Sequence, residues 1–182
     1  IDVVKSIPNK NIIFVPDQNL GFYVQSQLPE KVIITWQGFC PTHIRVQEED
    51  IKEAKKLHPD AEVIAHPECN PDVLALSDHI CSTAGMFKYC KSAKANEFII
   101  ATEMGMLYKL RKENPGKLFY SASGHLICPS MKLTTLGWVA HSLETMTHII
   151  TVPEEIRKNA IKALKRMLEI TGEPAAVAIA GY

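Results

Sequence analysis

Phe39-Cys40-Pro41-Thr42-His43 and, further along, Ile127-Cys128-Pro129-Ser130-Met131 are the stretches on which the reading of the fold turns. Each Cys-Pro follows a short apolar run that reads as a strand, and the segments leading up to the two also match. Ile12-Ile13-Phe14-Val15-Pro16-Asp17 precedes the first; Phe98-Ile99-Ile100-Ala101-Thr102-Glu103 precedes the second. After each acidic residue comes a helix-like segment, holding Tyr23 or Tyr108. A strand follows (residues 31–35 and 117–120), and then the cysteine loop. An internal repeat of this kind predicts two similar α/β units, each presenting one thiol from an equivalent loop.

Working outward, the chain alternates strand and helix signals. Residues 11–15 read as a buried strand, and Leu20, Tyr23 and Val24 mark a helix over 18–27. Residues 48–58 form an acidic-first helix, and 62–65 a strand running into His66-Pro67-Glu68-Cys69. A short helix over 70–76, a strand at 79–81 and a helix over 86–93 follow. Strand 97–101, helix 104–112 and strand 117–120 complete the alternation. The pattern then changes to two helices, 135–146 and 153–170, with an apolar tail over 171–182 that carries no capping signal. Strands alternating with helices of this length predict parallel sheets covered on both faces, with the site beyond the carboxyl ends of the strands. Asp17, Cys40, His66, Glu68, Ser82, Thr83, Glu103 and Cys128 all fall there.

Composition narrows the function. The 46% hydrophobic and 22% charged content is that of a globular protein, and 20 basic residues balance 20 acidic ones. Nothing in that balance argues for a nucleic-acid or membrane partner. No apolar run approaches the ~20 residues that span a bilayer. Five cysteines without a C-x-x-C or framework spacing point to reduced, cytoplasmic thiols rather than a disulfide scaffold.

The chemistry available is specific. Ser82-Thr83 ends a strand and opens a helix, which suits either a plain cap or an anion cradle. His66 and Glu68 flank a proline just past a strand end, which suits either an acid/base pair or a solvated loop. Cys40 and Cys128 with His43 and His125 make a Cys2His2 zinc site formally available, though the spacing is not that of a zinc finger. A third thiol from a third unit would instead give a three-cysteine iron–sulfur site with one iron open to substrate.

His66-Pro67-Glu68-Cys69, the Ser82-Thr83 loop, Cys40-Pro41-Thr42-His43 and Cys128-Pro129-Ser130-Met131-Lys132 together resemble the quinolinate synthase family, from the first strand to about Ile170. The resemblance implies repeated three-layer α/β/α units with short parallel sheets around a pseudo-threefold axis. It implies a four-iron four-sulfur (4Fe-4S) cluster held by one cysteine per domain, with the open iron as Lewis acid. The implied reaction condenses iminoaspartate with dihydroxyacetone phosphate to quinolinate, for NAD biosynthesis. Carried over, Cys40 and Cys128 are metal ligands, and His66 and Glu68 are catalytic and substrate-binding. Ser82, Thr83 and His43 are substrate-binding. Aspartate oxidase is an implied partner.

On the same resemblance, residues 1–38 are the remainder of a second α/β/α domain and 39–127 the third. Residues 128–182 are C-terminal helices expected to pack on a first domain that precedes Ile1 and supplies the third cysteine. The sequence departs from the family pattern at Cys81, where Gly is expected, at Thr134, where Asn is common, and in the tail. Cys69, Cys81 and Cys90 are read as non-ligands. The competing expectations are a zinc enzyme and a non-enzymatic α/β ligand-binding fragment.

Overall fold

The runs Glu62–Ala65 and Glu97–Ala101 bury nearly every side chain, as strands covered on both faces must. In the computed structural model, which describes residues 1–172, they lie side by side at the centre of a parallel sheet. In chain order the elements are α1 (Asp2–Ser6), β1 (Asn11–Phe14), α2 (Gln18–Gln27), β2 (Val32–Thr35), α3 (Glu48–Leu57) and β3 (Glu62–Ala65). Then come α4 (Pro71–Ala75), β4 (His79–Ile80), α5 (Thr83–Ser92), β5 (Glu97–Ala101) and α6 (Met106–Glu113). The series closes with β6 (Leu118–Ser121), α7 (Pro129–Lys132), α8 (Leu136–Thr145) and α9 (Glu154–Thr171).

The larger sheet has the order β4-β3-β5-β6, all parallel, with Val63 beside Ile99 and Ile99 beside Tyr120. Successive side chains of a strand point to opposite faces, and the burial obeys this. Val63, Ala65, Ile99 and Ala101 form one core layer with Ile51 and Ala54 of α3 and Val73 of α4. Ile64, Phe98, Ile100 and Phe119 form the other, with Met86 and Cys90 of α5 and Leu107 and Leu110 of α6. Helices, sheet and helices make three layers, as the alternation in the sequence predicts.

The smaller sheet pairs β1 with β2, again parallel, with Ile12 opposite Ile33. Helix α2 packs on it closely: a Cβ added at Gly21 would lie 2.5 Å from Thr35 Cγ2. The other face is open, leaving Ile13 80% and Ile34 51% exposed. Both sheets belong to one compact unit, residues 11–131. Residues 1–10 with those from 132 onward form a second, in which α1 packs on α9 and Val4 and Leu168 are buried. Helix α8 buries none of its residues.

Two differences from the sequence reading have local causes. Helix α5 starts at Thr83, not near 86, because the Ser82 hydroxyl takes the Gly85 N–H and caps it. Helix α9 ends against Gly172 at φ +69°, the left-handed position that glycine fills best. Between α8 and α9, His148 has φ +63°. The short α1, α7 and a 3-10 turn at His43–Arg45 have no signal in apolar periodicity. The remainder of the apolar tail lies outside the described residues.

Candidate functional site

The loops beyond the strand ends in the 11–131 unit hold the chemistry. Asp17, 4% exposed, ends the β1 loop and accepts two backbone N–H groups: Leu20 at 2.8 Å through Oδ1 and Cys40 at 2.8 Å through Oδ2. The first bond caps α2; the second fixes the loop that follows β2. Gly38 lets that loop lie on the β1 end, because a Cβ there would stand 2.2 Å from the Pro16 carbonyl oxygen. Glu103 does the corresponding work after β5. It accepts from Gly105 at 2.7 Å and, at a longer 3.5 Å, from the Cys128 N–H.

Glu68 faces the Nδ1 edges of two imidazoles. Its Oε2 is 3.0 Å from His43 Nδ1 and 3.6 Å from His66 Nδ1. The two rings stack with centroids 4.5 Å apart and planes 13° off parallel. The 3.0 Å contact has hydrogen-bond distance without hydrogen-bond alignment, so His43 Nδ1 is buried with no directed partner. His43 Nε2 is tied instead to the Thr102 hydroxyl at 2.9 Å. Burial pushes both imidazoles below their ordinary range; for His66 the neighbouring His43 adds to this and Glu68 opposes it. The pair is therefore neutral at neutral pH. The loop under Glu68 is held by Asn19, whose amide donates to the Glu68 carbonyl at 3.1 Å.

Cys40 Sγ, a His43 ring nitrogen and a Glu68 oxygen lie within 4.8 Å of one another, the spacing of donors around one ion. Cys128 is outside that group. The nearby Met131 N–H, Thr42 hydroxyl and Ser130 N–H favour its thiolate and hold it below the ordinary thiol range. Thr42 thereby links the two Cys-Pro loops. His125 is exposed and also outside the group, so among the described residues the Cys2His2 set is not assembled. Ser82 and Thr83 are exposed at the start of α5, with Ser82 Oγ 3.2 Å from the Gly85 nitrogen. Cys69 is fully buried, donates to the Ala101 carbonyl and is pushed up to about 12 by burial. Cys81 and Cys90 are likewise pushed up to about 11.

The donors suit a thiolate-liganded metal group. Cys40 and Cys128 are free thiols on partly open strand-end loops, and soft sulfur ligands select iron–sulfur clusters or zinc over hard cations. The undirected His43 Nδ1 leaves one buried polar atom for a bound ligand to satisfy. Sequence reasoning paired Glu68 with His66; the structure sets His43 nearer. Thr102 and Asn19 gave no signal at all. For Asp17 and Glu103 the signal was their near-equal distances, 23 and 25 residues, ahead of the two cysteines.

The sequence matches the family model described as quinolinate synthetase A protein over residues 1–169. It is 51% identical over 168 residues to the quinolinate synthase of Thermodesulfovibrio yellowstonii, covering 92% of this chain and 55% of that protein. The Geotalea uraniireducens quinolinate synthase is 54% identical over 170 residues, 93% of this chain and 56% of its own length. Quinolinate synthase 1 of Methanosarcina acetivorans is 49% identical over the same share of each. The chain thus spans about 55% of the length of the curated relatives it matches. With the motif loops brought to one end of the sheets and the match running almost throughout, the chain belongs to the quinolinate synthetase A family.

Proposed function

We propose that this chain is the part of a quinolinate synthase that carries the acid/base group and two of the metal ligands. The reaction joins iminoaspartate to dihydroxyacetone phosphate and releases phosphate and two waters to give quinolinate. The observation supporting this most directly is Glu68 lying against two neutral imidazoles and beside the Cys40 thiol. Cys40 and Cys128 would hold a four-iron four-sulfur cluster, with the third thiol from an N-terminal domain. When bound, such a cluster supplies an open iron that acts as Lewis acid.

The remaining work falls to this chain's own groups. Glu68 Oε2 takes and returns protons during the dehydrations, and the stacked imidazoles receive them in turn. His43, fixed through Thr102, and His66 orient the substrate. Ser82 and Thr83 offer hydroxyls at the α5 N-terminus, where the helix dipole favours the phosphate or a carboxylate. The assignment of residues 1–38, 39–127 and 128–182 to a second domain, a third domain and a helical extension belongs to this proposal. The open apolar face at Ile13 and Ile34 and the unburied α8 support it. A cytoplasmic setting and a supply of iminoaspartate from aspartate oxidase are parts of the same proposal. Among the described residues no helix is long and apolar enough to cross a membrane.

Iron content and turnover of the full-length enzyme test the reading. Cys128→Ser abolishes iron binding while Cys90→Ser keeps it; equal behaviour of the two overturns the ligand choice. Glu68→Gln keeps the iron and loses about 10²–10⁴ in turnover, the usual range for a proton-transfer group. The Cys40, His43 and Glu68 group favours one competing reading, a zinc site, for which the protein is colourless and holds zinc after aerobic purification.

A further inference from the structure

The repeat seen in the sequence is also a repeat of hydrogen bonds. Gln18 N–H donates to the Gly38 carbonyl at 2.8 Å, and Met104 N–H donates to the Leu126 carbonyl at 2.8 Å. In both cases the donor follows the acidic residue by one position and the acceptor precedes the cysteine by two. The acidic residue then accepts from the cysteine itself: Asp17 from Cys40, Glu103 from Cys128. Its second oxygen is occupied by a backbone N–H of its own helix entry, Leu20 or Gly105. Both carboxylates are buried, at 4% and 7% exposure.

Burying a carboxylate is costly unless it is hydrogen-bonded, and both of these accept backbone N–H groups through each oxygen. A charged acceptor on backbone N–H groups makes the stronger, shorter class of hydrogen bond, as at Asp17 to Cys40 (2.8 Å) and Glu103 to Gly105 (2.7 Å); the Glu103 contact to Cys128, at 3.5 Å, is the weaker clamp of the two. Asp17 is near enough to His43 and His66 for its charge to favour their protonated forms, but both its oxygens are already taken by the Leu20 and Cys40 N–H groups. We infer that Asp17 and Glu103 are positioning residues, each clamping the Cys-Pro loop of its own unit so that Cys40 and Cys128 present their sulfurs in matched geometry. This rests on the reading of the two thiols as ligands, but the clamp itself is measurable without any metal.

In the folded, metal-free polypeptide, hydrogen exchange of the Cys40 and Cys128 amides is slowed at least ~10-fold relative to the exposed neighbours Phe39 and Gly124. Exchange as fast as those neighbours overturns the clamp with no substitution made. Asp17→Asn raises iodoacetamide alkylation of Cys40 about 10-fold, the factor a lost charge-assisted bond carries, and leaves Cys128 and Cys90 within about twofold. Glu103→Gln does the same for Cys128 alone. Acceleration of all the thiols together means a general loosening of the fold and overturns the proposal, as does no change at the paired thiol. In the full-length enzyme each variant also lowers iron uptake from ferrous ion and sulfide while far-UV circular dichroism is kept. If Cys40→Ser retains its iron while the crossed alkylation pattern holds, the ligand reading fails and the clamp stands.

Discussion

Among the five cysteines, environment separates residues that the sequence presents alike. Nearby donors favour the Cys128 thiolate and lower its pKa, whereas burial pushes Cys81 and Cys90 up to about 11 and Cys69 to about 12. A lowered value means more thiolate at a given pH, and the thiolate is the reactive form. At about pH 8, alkylation of the reduced, metal-free chain therefore strikes Cys128 early and Cys69 last. Cys69 carries roughly a thousandfold less thiolate than an ordinary thiol, before its burial is counted. Quantitative mass spectrometry of the labelled peptides checks the order. The stacked His43 and His66 add a rule of their own: their charges repel, so the pair takes up one proton far more readily than two.

At the scale of elements, the strands were legible because the central ones are buried on both faces and so read as unbroken apolar runs: Val63-Ile64-Ala65, Phe98-Ile99-Ile100. The Cys-Pro loops were legible because they recur. What was hidden depended on contacts made far along the chain. That Glu68 leans on His43 follows from Thr102 holding the imidazole, a partner 59 residues away that no local pattern announces. Helix α7, four residues long, is set by the loop around Cys128 rather than by periodicity. The weight of the β5–β6 pairing can be measured. Phe119 stacks on Phe98 with centroids 5.3 Å apart and is 2% exposed. Phe119→Ala costs about 3–5 kcal/mol in denaturant unfolding. Tyr108→Ala, at a side chain 74% exposed on α6, costs under about 0.5 kcal/mol.

The whole molecule leaves apolar surface uncovered in both units, from Ile13 and Ile34 to Leu136, Trp138 and Leu143 along α8. On the proposed ligand assignment, this chain supplies two of the three cluster thiols, Cys40 and Cys128. Residues 1–182 alone, reconstituted anaerobically with iron and sulfide, accordingly load fewer than four irons per chain and show no turnover. Adding the N-terminal part of a relative restores both. A stable four-iron load with turnover from this polypeptide alone removes the three-domain reading, whatever becomes of the assignments within the loops.

Gly38 has so little room over the Pro16 carbonyl that the loop bearing Cys40 has one way to lie. On the proposed reading of Cys40 as a metal ligand, this loop is set by the fold before any ion arrives. Loading then resembles filling a mould rather than closing a hand: its observed rate rises in proportion to the concentration of the metal donor. Stopped-flow mixing shows a straight line through the origin. A plateau, the sign of a protein rearrangement that must come first, has no structural source in this loop.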